Sequence, residues 1–243
     1  MGTSVRVKAA GMTDAGRLRP VNQDYVLIGP NKDIFLVADG MGGHTMGEVA
    51  SRIAAQYIVA QLQFPAAGGA AESVIEAVRR ANSAVYQINY ARDYAPGTGM
   101  GTTLAGVWLP AGGEAVIFHV GDCRVYRYRR GELERLTRDH SLHQAWKDGG
   151  QLGPEPTRNF VLRAIGPWDH VDPEVSVQTL QPGDTLLICS DGLFGMLSDS
   201  EIAAILGEAD GISLERASAR LIEAANQRGG RDNISVLLVS AVR

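Results

Sequence analysis

The chain has 243 residues, 45% hydrophobic and 21% charged, with a formal net charge of -4 and a pI near 5.7. That length buries a sizeable core in one domain without crosslinks, and the composition excludes disordered and fibrous classes. The acidic balance argues against a nucleic-acid binder, and no apolar run is long enough for a membrane span or a signal peptide, so a cytoplasmic protein is expected.

From the N-terminus, apolar and β-branched runs predict strands over Tyr25–Ile28 and Ile34–Ala38. Helical periodicity follows over Gly47–Leu62, with Val49, Ile53, Ala54, Tyr57, Ile58 and Leu62 on one face, and over Ala70–Tyr90, with Val74, Ile75, Val78, Val85 and Ile88 apolar. Pro65 and paired glycines break the two helices apart. Strands resume at Thr102–Leu109, Ala115–Val120, Arg124–Tyr128, Thr185–Cys189 and Ile234–Val239. Two further helices are predicted, one opened by the capping signal at Ser198 to Glu201 and one over Leu214–Gln227.

Short turns at 110–113 and at Arg130-Gly131 permit antiparallel hairpins but no parallel crossover, so the sheet or sheets are expected to be mainly antiparallel with two long helices packed outside. No internal repeat or linker divides residues 1–243, which read as a single domain. Cys123 and Cys189 are expected to be reduced thiols, and Arg127, Arg129 and Arg130 a solvated hairpin.

Three apolar strands stop at an aspartate beside a glycine: IFLVA at Asp39-Gly40, VIFHV at Gly121-Asp122, and LLICS at Asp191-Gly192. A fourth strand begins just after Asp232-Asn233. One Asp-Gly pair is ordinary turn chemistry. Repeated at three strand ends, it predicts a shared anionic rim, and carboxylates gathered in a partly buried place repel one another unless a cation joins them. All the candidate ligands are oxygens, so hard cations such as Mn²⁺ or Mg²⁺ fit better than zinc.

These residues fall in segments that resemble, in order, the signature motifs of the metal-dependent type-2C serine/threonine protein phosphatases, particularly compact bacterial members. The segments are TDAGRLRPVNQD (13–24), VADGMGGHTMGEVAS (37–51), GTTLAG (101–106), HVGDCRVY (119–126), CSDGL (189–193) and GGRDNISVLLV (229–239). The resemblance implies an α+β fold, a four-layer sandwich of two antiparallel sheets flanked by helices. It implies that Asp39 bridges two ions, with the Gly40 carbonyl on one and Asp191 and Asp232 on the other, while Asp24 acts through water. Asp122 corresponds to a residue holding a third, weaker ion together with Asp191.

Arg19 aligns with the family's phosphate-binding arginine, whose planar fork suits two phosphate oxygens. The implied reaction is hydrolysis of phosphoserine and phosphothreonine by water activated between ions about 3.5–4 Å apart. Two departures stand out. Gln23 replaces a common glutamate, implying weaker binding of the second ion, and Met41 replaces the histidine that follows Asp-Gly in many eukaryotic relatives. His44 is either a substitute general acid, a cap on the following helix or a solvated side chain, and the other histidines carry no assigned chemistry.

Residues 139–166 match the family's variable flap, expected to move and to shape substrate choice. Implied partners are phosphorylated proteins, including a bacterial serine/threonine kinase or its substrates, in some relatives within a secretion system; a monomer is expected. The glycine-rich segments 40–43 and 97–101 lack the residues of a nucleotide-binding loop. An inactive phosphatase-like binding module is disfavoured because Asp39, Asp191 and Asp232 are all present.

Overall fold

The computed structural model describes residues 6–31, 33–42, 46–65, 68–110, 114–157, 159–208 and 213–242. In chain order they form β1 (Arg6–Asp14), β2 (Asp24–Ile28), β3 (Ile34–Met41), α1 (Met46–Leu62), α2 (Ala70–Tyr90), β4 (Gly101–Trp108), β5 (Glu114–Val120), β6 (Arg124–Arg129), β7 (Glu132–Arg135), α3 (Leu142–Asp148), β8 (Glu174–Thr179), β9 (Thr185–Cys189), α4 (Asp191–Phe194), α5 (Asp199–Gly207), α6 (Leu214–Gln227) and β10 (Ile234–Val242). The strands make two five-stranded sheets, ordered β1-β10-β9-β6-β7 and β2-β3-β4-β5-β8. Every pairing is antiparallel.

Burial on both faces explains why the central strands read as unbroken apolar runs. In β3, Ile34, Leu36 and Ala38 pack outward against α1 and α2, while Phe35 and Val37 point between the sheets. In β10, Val236 and Leu238 join the layer of α5 and α6, while Leu237 and Val239 join the layer between the sheets. Each large side chain so buried contributes about 2 kcal/mol. Small residues on α1, Ala50, Ala54 and Ala55, are fully buried and bring that helix close to its sheet. Ser198 and Glu201 form the capping box that opens α5.

The layered α+β sandwich agrees with expectation, and the predicted spans of α2 and α6 coincide with those observed. Three of the four sheet-edge strands were missed, β2 being the one predicted. Strands β1, β7 and β8 each lie at an edge, and their burial is broken by exposed residues, so no apolar run marks them. Edge strand β1 is held instead by its ladder with β10, from Arg6↔Val242 to Asp14↔Ile234. The short helices α3 and α4 were also missed. Strand β3 does not stop at Asp39 but runs on to Met41, paired with Gly101.

Arg130 and Gly131, at φ 53° and 90°, make the β6–β7 turn. Residues 111–113 of the expected β4–β5 turn lie outside the described residues, although β4 and β5 pair antiparallel. Cys123 and Cys189 are free and buried. Among the described residues no helix is long and apolar enough to cross a membrane.

Candidate metal centre

The antiparallel ladders bring the aspartates to one end of the sandwich. Asp24 and Asp39 are cross-strand partners in β2 and β3. Asp191 is the first residue of α4, just after β9, and Asp232 lies just before β10, the antiparallel neighbour of β9. Asp122 follows Gly121 at the end of β5. Asp39, Asp122, Asp191 and Asp232 line one cleft of about 830 Å³, together with Arg19, Gln23, Gly40 and Asn233. The rim is therefore shared by both sheets: Asp39 is on the sheet opposite Asp191 and Asp232, not on a common sheet edge.

Polar contacts stitch the sheets together there. Ser190 Oγ donates to Asp24 Oδ2 at 2.7 Å, and the Gln23 amide donates to Asn233 Oδ1 at 2.8 Å. Asn233 Nδ2 donates to the Ala15 and Val21 carbonyls, each at 3.0 Å, holding the loop that carries Arg19. Thr102 Oγ1 donates to the Asp39 carbonyl at 2.8 Å. At Gly40 a Cβ would lie 2.2 Å from the Gly47 carbonyl oxygen, so only glycine lets β3 pass the start of α1. Gly121 has φ +95°, and a Cβ there would lie 2.5 Å from Thr103 Cβ.

The electrostatics are those of an unmet charge. Burial, then Asp24, Asp191 and Asp122, push Asp39 well above the usual carboxylate range. Burial, then Asp122 and Asp232, push Asp191 up to about 8. Asp24 and Asp122 are each pushed up to about 6, chiefly by burial. Asp24 Oδ1 and Asp191 Oδ1 are buried without a hydrogen-bond partner. Buried oxygens left in this way call for a cation or protons, and an all-oxygen set of carboxylates with a nearby backbone carbonyl suits Mn²⁺ or Mg²⁺. The residues present fit two such ions.

Arg19 Nη2 donates to Asp232 Oδ2 at 2.7 Å, a contact that raises the guanidinium pKa further. The side chain is 53% exposed at the cleft, which leaves its remaining N–H groups open to a phosphate. His44 lies outside the described residues. His143 pairs with Glu155 and His170 with Asp172, away from the lining of the cleft. The flap segment reaches the cleft through Asn159, Phe160 and Val161. Ser190 and Asn233, which orient the cluster, were missed in sequence; both stand directly beside quoted aspartates, and that adjacency was the available signal.

The chain matches the protein phosphatase 2C family over residues 19–238. It is 38% identical over 237 residues to the serine/threonine phosphatase stp of Listeria monocytogenes, covering 93% of each chain. The crystal structure of the catalytic domain of the serine/threonine protein phosphatase PstP with two manganese ions superposes with a TM-score of 0.85 at 33% identity, over 98% of this chain and 99% of that one. PppA of Pseudomonas aeruginosa, described as a key regulatory component of its T6SS, superposes with a TM-score of 0.80 at 33% identity, over 98% of this chain and 100% of that one.

Proposed function

This chain belongs to the protein phosphatase 2C family, and from that membership we propose how its own residues divide the work of removing phosphate from serine and threonine on proteins. When bound, Mn²⁺ or Mg²⁺ would supply Lewis acidity at this site, enough to activate water and polarise a phosphoryl group. Asp39, the Gly40 carbonyl, Asp191 and Asp232 would hold these ions, with Asp39 as the ligand common to both. Asp24 acts through an intervening water, oriented by Ser190. Asp122 and Asp191 would hold a third, weaker ion.

Arg19 binds the phosphate of the substrate, held at the cleft by Asp232. The observation that carries this assignment is the set of buried and half-buried carboxylates gathered at one end of the sandwich, with their raised pKa values and two partnerless oxygens. The whole chain acts as a single catalytic domain with a mobile flap at 139–166. The leaving alkoxide takes its proton from water or from His44.

The substrates fitting this reading are phosphoproteins made by a bacterial serine/threonine kinase in the cytoplasm, and the likeness to PppA supports a secretion-system setting. The test is hydrolysis of an aryl phosphate and of a phosphothreonine peptide with and without chelator, followed by Mn²⁺ soaks of crystals. Expected are activity only with Mn²⁺ or Mg²⁺ and ions at Asp39, Asp191 and Asp232. Full turnover after exhaustive metal removal sinks the assignment. Phosphoproteomics of a deletion strain identifies the substrates.

A further inference from the structure

Beside the cleft, two buried histidines form a cluster that the reaction above does not use. His119 in β5 and His140, just before α3, are 2% and 8% exposed, and their rings stack with centroids 4.4 Å apart. Glu174 of β8 is the cross-strand partner of His119. His140 grips the peptide groups of a single residue twice. Its backbone N–H donates to the Gly121 carbonyl at 2.8 Å, and its ring Nδ1 stands 3.2 Å from the Gly121 amide, which donates to it. The next residue is Asp122.

The Gly121 contact sets the tautomer. Because Gly121 N–H is a donor, Nδ1 of His140 must offer its lone pair, and the ring proton sits on Nε2, facing Glu174 Oε2 at 3.4 Å. His119 likewise donates from Nε2 to the Arg138 carbonyl at 2.7 Å. Burial, then His119 and Arg163, hold the His140 pKa down at about 4, so the ring is neutral at ordinary pH. The ligand atoms of His119, His140 and Glu174 lie within 4.8 Å of one another, a spacing that would admit a metal ion. Charge and occupancy speak against one: Nδ1 of His140 is engaged by the Gly121 N–H, and the cationic Arg163 guanidinium stands 3.3 Å from Nε2.

His140 is also the base of the flap. Its carbonyl accepts from Leu162 N–H at 2.7 Å, and the next residue, Ser141, bridges to Val161. Phe160 and Val161 line the cleft from the other arm of the same segment. One residue thus holds the turn before Asp122 on one side and both arms of the flap on the other.

We propose that His140 is a positioning residue of the phosphatase, fixing the Gly121-Asp122 turn through its Nδ1 and coupling that turn to the base of the flap. The inference rests on the reading of Asp122 as the third-site ligand. Gly121 has no side chain to anchor its left-handed turn, and its N–H donates to the His140 ring.

The test is an Mn²⁺ titration of aryl-phosphate turnover by the full chain and the variants His140→Ala, His140→Asn, His140→Gln, Asp122→Ala and the Asp122→Ala/His140→Ala double. His140→Ala is expected to raise the Mn²⁺ needed for half-maximal activity about fivefold and to lower kcat at fixed metal, with KM little changed, as loss of one hydrogen bond allows. His140→Asn is expected to recover most of this, because its Oδ1 can take the place of Nδ1, and His140→Gln is not. The double variant is expected to titrate like Asp122→Ala alone.

A folded His140→Ala enzyme with the parent's titration, equal behaviour of the Asn and Gln variants, or additive losses in the double variant each overturn the proposal. Asp122→Ala titrating like the parent removes the third-site reading itself, which is a different failure. Should His140→Ala not fold, thermal midpoints and titrations of the Asn and Gln variants decide alone.

Discussion

Replacing Asp191 by Asn separates what the carboxylate cluster costs the fold from what it does for metal binding. In the folded protein Asp191 is pushed from 3.8 up to about 8, by burial and then by Asp122, Asp232 and Asp24. A carboxyl with its folded pKa above its unfolded value holds its proton more tightly when folded. Its contribution to stability is therefore fully present below about pH 4 and is lost as pH rises toward 8. Asp24 and Asp122, each raised to about 6, deepen the loss in the lower half of that window.

At about 1.4 kcal/mol per pH unit the span for Asp191 corresponds to about 6 kcal/mol if it bore the cost alone. The carboxyls share the cost, so one uncharged, isosteric substitution recovers on the order of 2 kcal/mol. For a chain of this size that is about 4–8 °C in thermal midpoint. Measured by calorimetry in chelator at pH 8, Asp191→Asn is expected to melt that much above the parent, and close to it at pH 4. In saturating Mn²⁺ the order reverses, because the parent gains about 2.7 kcal/mol at a hundredfold excess over Kd and the variant forfeits it. A variant less stable than the parent in chelator at pH 8 refutes the view that the cluster is held together against its own repulsion.

Asp39→Asn is expected to abolish turnover, whereas Arg19→Ala is expected to raise KM for an aryl phosphate about tenfold with kcat within about threefold; steady-state kinetics showing the same change in both ends the division of roles. Asn233→Ala strips partners from the Ala15 and Val21 carbonyls and the Gln23 amide. It is expected to cost about 3 kcal/mol in urea unfolding, and a loss under about 1 kcal/mol rejects that role for the side chain. Iodoacetamide is expected to leave activity intact, since burial raises the thiol pKa of both Cys123 and Cys189; inactivation that phosphate prevents points instead to a thiol nucleophile.

Wherever a local rule repeats, the sequence is explicit. Strands buried on both faces announce themselves as apolar runs, amphipathic helices such as α6 by their period, and α5 by its capping box, because each depends on residues close together in the chain. The aspartates at strand ends were legible for the same reason, as was the need for a hard cation. Of the edge strands, β2 was legible by its Tyr25–Ile28 run; β1, β7 and β8 were not, because a strand solvated along one side needs no continuous apolar pattern and is specified by the partner it pairs with.

Only the packing of the two sheets decided that Asp39 faces Asp191 and Asp232 across a gap, and that Ser190 and Asn233 hold the gap together. The same packing placed His140 against Gly121, so that a histidine without any motif to mark it came to hold the turn before Asp122. Charge repulsion and burial are properties of distances between residues remote in sequence. A strand-end aspartate can be read from the chain, whereas its pKa, its neighbours and its purpose exist only once the sheets have closed.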